Sequence, residues 1–296
     1  MPPPALVIGR TGQLALELAR TPNSFEPVFL GREDVNLTRP EEAADAVRRV
    51  RPALVVIAAA YTGVDKAESE PEAARLVNTV APGLVAEACA ETGARLIHVS
   101  TDMVFDGAKS GAYLEADATN PLGVYGRTKL DGETRVLESG AEAAVVRTSW
   151  VFGASGANFV QLVLRLAGQG DEMRIVGDQI GRPTAGADLA NAVWSLGEKL
   201  VGGEPAANGV FHYAGADDAT RAELAEAIVA GSAARGGPGA RVLPIATADY
   251  PTPARRPLNA RLDSGRLNAL GVVSRPWREA LEEALDEVLG RAREGA

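Results

Sequence analysis

The sequence of 296 residues predicts an α/β protein in which a doubly wound parallel sheet carries a smaller α-rich cap. Over the first half of the chain, short aliphatic runs alternate with longer amphipathic segments, as they do in βαβ units. This alternation stops near Trp150, and helical patterns dominate the remainder. Right-handed crossovers between parallel strands place helices on both faces of the sheet, which makes it doubly wound.

Five strands are predicted in the first half, each from a continuous apolar run of the kind that parallel sheets bury on both faces. They cover residues 5–8, 27–30, 54–57, 96–99 and 144–147. Helical patterns between these runs cover residues 12–20, 41–50, 72–91 and 125–137.

The second half predicts helices over residues 158–167, 188–200 and 277–294, with one late strand over 210–213. Thr220 and Glu223 form a capping-box pattern, in which two side chains satisfy free amides at a helix start. Glycine and proline predict loops over 234–241 and 247–257. We expect residues 1–152 with about 185–213 to form the sheet domain, and about 153–184 with 214–296 the cap.

The composition excludes or disfavours several classes of protein. Lysine and arginine total 30 against 39 acidic residues, and this net charge of −9 disfavours nucleic acid as a partner. A single cysteine, Cys89, excludes an internal disulfide, and with only His98 and His212 we expect no metal site. We assign these three side chains to structural positions. No apolar run approaches the roughly 20 residues of a membrane helix and no signal peptide is present, so we expect a cytoplasmic protein without a membrane partner.

The turn between the first strand and the first helix carries Gly9, Gly12 and the small residue Ala15. Gly9 permits the tight turn, Gly12 lets the backbone approach a pyrophosphate, and the helix N-terminus offers free amides to phosphates. This pattern predicts a dinucleotide cofactor. At the end of the second strand, Arg32 favours the 2′-phosphate of NADP, whereas nearby acids such as Asp34 keep NAD open.

A second group of residues indicates carbonyl chemistry. Tyr125 and Lys129 lie four residues apart, on one face of a predicted helix. A lysine ammonium near the phenol is expected to lower the tyrosine pKa from about 10, which makes Tyr125 a usable general acid. Thr101, at the carboxyl end of the fourth strand, can hydrogen-bond the same carbonyl oxygen.

Together these motifs resemble the dTDP-4-dehydrorhamnose reductases, a family of the extended short-chain dehydrogenase/reductase superfamily. The resemblance runs nearly end to end and includes residues 9–14, 58–68, 76–78, 100–107, 121–129, 147–153 and 178–184. It implies a Rossmann-type nucleotide-binding domain for the sheet half and a substrate-binding role for the cap.

The resemblance implies that Thr101, Tyr125 and Lys129 form the catalytic set. Combined with the turn and strand-end residues above, the cofactor-binding set is Gly9, Gly12, Gln13, Leu14, Arg32, Asp34, Val35, Ala59, Ala60, Tyr61, Tyr125 and Lys129. The substrate-binding set is Thr101, Asp102 and Trp150, although a core position would also explain the tryptophan.

The sequence departs from the family at Met103, where a tyrosine is usual, and this loss of a hydroxyl puts the sugar in doubt but leaves the chemistry intact. Ala15 in place of the third glycine is a mild change. Some relatives hold magnesium at a dimer contact. Asp188 falls near one such acidic position, but a lone surface acid is usually solvated and we predict no metal.

Three related classes of protein are alternatives. Sugar-nucleotide 4,6-dehydratases carry an Asp-Glu pair after the strand-four threonine, but here Asp102 is followed by Met103. The 4-epimerases use the same Tyr and Lys, tend to be longer and lack the run 101–107. A non-catalytic NADP-binding relative that regulates a partner enzyme is disfavoured by the intact Thr101, Tyr125 and Lys129, but stays open.

The resulting hypothesis is an NAD(P)H-dependent 4-ketoreductase of a dTDP-linked deoxy-sugar, foremost dTDP-4-dehydro-L-rhamnose to dTDP-L-rhamnose. NADPH is the expected cofactor and NADH the alternative. A 4-ketoreductase for another nucleotide-linked deoxy-sugar of antibiotic biosynthesis stays open, as does a homodimer.

Overall fold

The structure of the protein, a computed structural model, describes residues 1–294. Its main sheet is built from six strands: β1 (Pro4–Ile8), β2 (Glu26–Leu30), β3 (Leu54–Ile57), β4 (Arg95–Thr101), β5 (Ala143–Thr148) and β10 (Gly209–His212). The strands are all parallel, in the order β10-β5-β4-β3-β1-β2. The chain crosses from one side of β1 to the other between β2 and β3, so the crevice for ligands opens beyond β1 and β3. The predicted doubly wound α/β fold is confirmed.

The helices that cover this sheet are α1 (Gln13–Arg20), α2 (Glu41–Val50), α3 (Val64–Ser69), α4 (Pro71–Arg75), α5 (Ala81–Thr92), α6 (Val124–Glu138) and α8 (Gly186–Val201). The predicted helix over 72–91 is interrupted, because Leu76–Val80 forms a π-helical turn between α4 and α5. Such turns are frequent at functional sites. The short helix α3 was not predicted.

Side chains of each strand alternate between two hydrophobic clusters, one on each face of the sheet. Val7 and Val56 pack with α1 and α8, including Trp194. Leu6 and Val55 pack on the opposite face with α2 and α5. These strand residues are fully buried, and burial stabilises each aliphatic side chain by about 1.5–3 kcal/mol.

The remaining elements build the cap and its connections. The strands are β6 (Val151–Phe152), β7 (Glu172–Val176), β8 (Ile180–Gly181), β9 (Thr184–Ala185), β11 (Ala219–Thr220), β12 (Arg241–Ile245) and β13 (Asn259–Ala260). The helices are α7 (Phe159–Ala167), α9 (Arg221–Ala234), α10 (Gly265–Asn268) and α11 (Trp277–Glu294). The predicted loop over 234–241 ends where β12 begins, and the parallel pair of β7 and β12 was not predicted.

A third hydrophobic cluster, with Phe152, Val163, Leu224 and Leu285 at full burial, holds α7, α9 and α11 together. The predicted division into two domains stays a prediction. The last two residues of the predicted cap, 295–296, lie outside the described part of the chain. Leu267, which the prediction assigned to the cap, packs in the first sheet cluster instead. Within residues 1–294, the structure contains no helix with the length and apolarity needed to cross a bilayer.

Candidate active site

An open pocket of about 270 Å³ lies beyond the carboxyl ends of β4 and β5. The sheet half contributes Thr101, Asp102 and Tyr125 to its wall, and Trp150 follows β5. The cap contributes Gln179, Arg221, Arg256, Pro257 and Ala260. The pocket is therefore shared between the sheet and segments that come late in the chain.

Thr101, the last residue of β4, connects the polar groups at the floor of the pocket. Its hydroxyl lies 3.0 Å from Asp102 Oδ1 and accepts a hydrogen bond from the Met103 amide at 3.2 Å. The Tyr125 phenol lies close enough to this hydroxyl for Thr101 to lower the pKa of the phenol, and both side chains line the pocket. Tyr125 is the second residue of α6, whose start lies directly on the turn after β4. A Cβ at Gly126 would lie 2.1 Å from the Met103 carbonyl oxygen, so the helix can approach only with glycine there.

The pKa of Tyr125 differs from the sequence-based expectation. Burial and the charge of Asp102 raise it to about 12, and the hydrogen bond with Thr101 opposes that rise. The expected lowering by the lysine is wrong for this geometry, because the Lys129 ammonium lies elsewhere. The phenol therefore keeps its proton at neutral pH, which suits a group that donates a proton.

Lys129 is on the same helix face as Tyr125 and is 2% exposed. Its Nζ donates to the Val99 carbonyl at 2.8 Å and lies 3.2 Å from His98 Nε2. Burial lowers the pKa of this lysine to about 8, and the charge of Glu133 opposes the effect. The ammonium is thus held on the strand β4 rather than against the phenol.

Asp102, Trp150 and Arg221 form the part of the pocket that faces the cap. Burial raises the pKa of Asp102 to about 6, although Thr101 and the charge of Arg221 lower it. The guanidinium carbon of Arg221 lies 3.7 Å from the centre of the Trp150 ring, a cation–π contact. Trp150 has a φ of 49°, a left-handed conformation that costs energy for a side chain of this size and is found mostly at functional sites.

Arg221, Arg256 and Gln179 were not predicted as site residues. The capping box of Thr220 and Glu223 placed Arg221 at a helix start, and the structure confirms that capping box. No pattern in the sequence could show that this helix start faces a strand end more than a hundred residues earlier. Arg256, in the predicted loop 247–257, pairs with Asp65 at 2.8 Å.

The residues expected to bind a cofactor come together at the switch point of the sheet. Gly9 has a φ of 130°, which favours glycine, and its amide donates to the Leu30 carbonyl. Gly12 precedes α1, and no protein atom lies within 4 Å of a Cβ built there. The amides of the first turn, from Gln13 and Leu14 onward, lack helical partners and face anions well. Gln13 Nε2 is buried and has no hydrogen-bond partner among the described residues. The free amides of this turn fit a pyrophosphate.

The end of β2 carries a cluster that includes Arg10. This guanidinium donates to the Phe29 carbonyl at 2.8 Å and to Asp34 Oδ2 at 2.5 Å, and it also pairs with Glu33. Asp34 accepts a further bond from the Gly31 amide at 2.8 Å. The acid that would favour NAD is therefore occupied by an arginine that the sequence had not singled out. Arg32 is exposed beside this cluster and Val35 is buried.

Ala59, Ala60 and Tyr61 follow β3 and lie next to the glycine turn. The Ala59 amide donates to the carbonyl of Ile8, the last residue of β1. Asn78, in the π-helical turn, accepts from the Tyr61 amide at 2.8 Å and contacts the Thr128 hydroxyl of α6 at 3.2 Å. The cofactor-facing loop and the helix of Tyr125 and Lys129 are thus joined by one buried side chain.

Two residues raised by the comparison with the family pattern lie in different places. Met103 is one of the residues that line the pocket. Asp188, on the sheet helix α8, is paired with Arg275 at 2.8 Å and is not among the residues that line this pocket. Among the described residues, no group of three or more His, Cys, Asp or Glu side chains is arranged to hold a metal ion.

The chain matches one protein family over nearly its whole length. The family model described as the RmlD substrate binding domain matches residues 4–289. The dTDP-4-dehydrorhamnose reductase of Sinorhizobium fredii is 41% identical over 277 residues, which cover 93% of this chain and 94% of that protein. The reductase of the same name from Escherichia coli K12 is 38% identical and covers 96% and 97% of the two chains.

Solved structures agree with this assignment. A dTDP-4-dehydrorhamnose reductase from Clostridium acetobutylicum superposes with a TM-score of 0.90 at 30% identity, over 96% of this chain and 99% of that one. The reductase from Bacillus anthracis, solved in complex with NADP, gives a TM-score of 0.89 at 31% identity, over 97% and 100%. A Thermus thermophilus UDP-glucose 4-epimerase at 19% identity, with a TM-score of 0.79, shares the fold. The chain belongs to the dTDP-4-dehydrorhamnose reductase family, the RmlD-type branch of the extended short-chain dehydrogenase/reductases, as its motifs predicted.

Proposed function

We propose that the protein is an NADPH-dependent 4-ketoreductase that converts dTDP-4-dehydro-L-rhamnose to dTDP-L-rhamnose. The observation that carries this proposal is that Thr101 and Tyr125 together line one pocket beyond the carboxyl ends of β4 and β5. The names of the relatives support the substrate, and the NADP bound to the Bacillus anthracis relative supports the cofactor.

In this reaction the keto carbon C4 gains a hydride and its oxygen gains a proton, so a C=O bond becomes CH–OH. NADPH, when bound, supplies the hydride. Tyr125 donates its phenolic proton to the sugar oxygen, and Thr101 hydrogen-bonds the same oxygen because its hydroxyl already lies against the phenol. Lys129 would hold the nicotinamide ribose of the bound cofactor with its ammonium.

The amides that start α1, together with Gln13, would hold the pyrophosphate of the cofactor. Arg10 and Arg32 provide positive charge at the end of β2, where a 2′-phosphate is read. Arg10 also occupies the carboxylates of Glu33 and Asp34, which removes the competing hydrogen bonds to a ribose hydroxyl. NADPH is therefore the proposed cofactor, and NADH the weaker substitute.

The pocket suits an anionic sugar nucleotide. Arg221 and Arg256 line the side formed by the cap and would meet the diphosphate, while Asp102 and Trp150 border the sugar. Of the described residues that line the pocket, Asp102 is the one with a carboxyl group. This argues against dehydration, because that chemistry needs a second carboxyl group. Met103 leaves a different 4-keto deoxy-sugar as the second candidate substrate.

The test is the oxidation of NADPH by the purified protein with dTDP-4-dehydro-L-rhamnose, with product identified as dTDP-L-rhamnose by mass spectrometry. Other nucleotide-linked 4-keto sugars, and NADH, are assayed in parallel. Faster turnover of another 4-keto sugar would replace the proposed substrate. If none is reduced, a non-catalytic NADP-binding role is favoured. Sedimentation of the same sample tests the homodimer, which stays a prediction.

The variant Tyr125→Phe tests the proton donor. We expect kcat to fall about 10²–10⁴-fold, because the proton must then come from water, while NADPH still binds. The matched control is Tyr250→Phe, which removes a hydroxyl from a tyrosine that is 59% exposed and lies outside the pocket wall. Turnover by Tyr125→Phe at the rate of the control would contradict the assignment of the acid.

A further inference from the structure

Lys129 forms a buried pair with His98, a side chain to which the proposed reaction gives no role. His98, in the middle of β4, is fully buried, and its Nε2 lies 3.2 Å from Lys129 Nζ. Buried lysines are usually paired with carboxylates. Here the nearest acid on the helix, Glu133, is held by Arg147 and by the Ser100 hydroxyl. The two atoms that contact the ammonium, His98 Nε2 and the Val99 carbonyl oxygen, are both uncharged.

The chemistry of the pair determines the state of the histidine. An ammonium only donates hydrogen bonds, so Nε2 must present its lone pair and the ring proton must be on Nδ1. Burial and the charge of Lys129 lower the pKa of His98 well below its usual range, which keeps the ring neutral. Nδ1 is itself buried and has no hydrogen-bond partner among the described residues. A buried N–H without an acceptor lowers the stability of the fold, and an aliphatic residue at this position would avoid that loss.

We propose that His98 is a positioning residue for Lys129. Two of the three ammonium N–H groups are directed to β4, one to the Val99 carbonyl and one to His98 Nε2. Since the ammonium is tetrahedral, these two bonds fix the direction of the third N–H, which on the proposed function is the one that would reach the cofactor ribose. A carboxylate in place of the imidazole would neutralise the ammonium, and an aliphatic residue would let it rotate.

The charged and titratable groups on the surrounding elements determine how the loss of His98 changes the pH dependence of kcat. They are Tyr125 and Glu133 on α6, Asp102 after β4 and Arg147 on β5. Glu133 raises the pKa of Lys129 and burial lowers it, to about 8. Removing an acceptor of the ammonium N–H disfavours the charged form, so the pKa of Lys129 falls further. The alkaline limb of kcat then moves to lower pH.

The first test needs no substrate, so it is independent of the proposed function. Nitrogen-15 NMR of the wild-type protein, loaded with NADPH, reports which ring nitrogen of His98 carries the proton. A Lys129→Met sample assigns the pair by the shift it causes. We expect the Nδ1–H tautomer, with the Nε2 resonance moving when the lysine is removed. An Nε2–H tautomer would overturn the inference, because that nitrogen could not then accept a bond.

The second test rests on the proposed function and uses two variants of similar polarity. His98→Gln can place an amide oxygen near the position of Nε2, whereas the shorter side chain of His98→Asn reaches only the position of Nδ1. We expect kcat to fall about 10–100-fold in His98→Asn. In His98→Gln we expect kcat to stay within about threefold of the wild-type value. The alkaline limb of His98→Asn should move about one pH unit lower while KM for the sugar changes little.

The control is His212→Gln, which alters the other buried histidine of the same sheet, bonded to the Tyr113 carbonyl at 3.1 Å. We expect its pH profile to match that of wild type. Equal loss in His98→Asn and His98→Gln, with an unmoved alkaline limb, would show a packing role only and overturn the inference. If the wild-type protein reduces no 4-keto sugar, the proposed function fails, and the tautomer measurement alone decides the role of His98.

Discussion

At the scale of single residues, Asp102 shows how a site residue can reduce the stability of the fold that holds it. The carboxyl group is 7% exposed, and burial raises its pKa to about 6 from an unfolded value near 3.9. Because folding raises this pKa, the protonated group costs nothing below about pH 4. Between about pH 4 and pH 6 the unfolded chain releases this proton while the folded protein retains it, so the free energy of unfolding falls over that range and stays at the lower value above it.

The variant Asp102→Asn should therefore be more stable than wild type, and the gain should depend on pH. We expect an increase in the free energy of unfolding of about 2–3 kcal/mol near pH 8, and roughly half of that near pH 5. Urea unfolding at both pH values measures it, alongside a fall in kcat/KM. A gain that is equal at the two pH values would show that ionisation of Asp102 is not its cause.

Arg10 is a second residue whose role follows from its contacts. It covers the carboxylates of Glu33 and Asp34 where the cofactor ribose is expected. In Arg10→Ala those charges are exposed to the 2′-phosphate, so we expect the Kd of NADPH to rise about tenfold and that of NADH to change less. Fluorescence titration measures both constants.

Arg39→Ala is the control for Arg10→Ala, since it removes an exposed arginine whose ion pair with Glu42 lies at the start of α2. Its Kd values for both cofactors should match those of wild type. If Arg10→Ala weakened NADPH and NADH equally, Arg10 would act by holding the turn through its bond to the Phe29 carbonyl, and would not select the cofactor.

At the scale of elements, α9 connects a local sequence signal to the pocket. Thr220 and Glu223 cap the helix reciprocally, with side chain to amide distances of 3.1 Å and 2.7 Å. The first helical residue is Arg221, which lines the pocket. Fraying of this helix start would therefore displace a guanidinium that faces the substrate.

We expect Thr220→Ala to lower the free energy of unfolding by about 1 kcal/mol and to raise KM for the sugar several-fold with kcat little changed. Urea unfolding and steady-state kinetics measure the two effects. Glu226→Ala, at an exposed position of the same helix, keeps the cap and serves as the control. A normal KM in a destabilised Thr220→Ala would show that the capping box of α9 does not affect substrate binding.

The sequence predicted most helices and strands and missed those with weak local patterns. The predicted segments 41–50 and 277–294 agree with α2 and α11, because their apolar residues recur at helical spacing. The π-helical turn at Leu76–Val80 was not predicted, because the segments on both sides of it are themselves helical and the local pattern continues across it. β7 was missed because only Met173 and Ile175 are buried among charged neighbours.

At the scale of the whole molecule, a buried ion pair joins the sheet to the helix that carries the site. Glu133 on α6 receives bonds from Arg147 on β5 at 2.6 and 3.0 Å and from Ser100 on β4. Both charged side chains are at most 5% exposed. Water cannot solvate either charge at this depth, so each charged group depends on the other for compensation.

We expect Glu133→Gln to lower the free energy of unfolding by about 3–5 kcal/mol, because it leaves the Arg147 charge buried without its counter-charge. Urea unfolding followed by circular dichroism measures this loss. Glu72→Gln, which alters an exposed ion pair with Arg75, should leave the unfolding curve nearly unchanged. A similar small effect of Glu133→Gln would mean that Arg147 finds another partner.

The sequence by itself determined the parallel sheet and the glycine turn, and it predicted Thr101, Tyr125 and Lys129 as the catalytic set. These features depend on patterns within a few residues and on the rule that parallel strands end at one edge. The resemblance of the motifs then supplied the family. Local patterns were sufficient because each of these signals, taken singly, depends on residues that are close together in the sequence.

Only the tertiary structure decided the partners of those residues. Spacing placed Tyr125 and Lys129 on one helix face, but the flexible lysine reaches His98 on β4, so the expected lowering of the tyrosine pKa was wrong. Likewise Arg221 meets Trp150 across 71 positions of sequence. Contacts of this kind depend on how whole elements pack, and packing brings together residues that no local pattern relates.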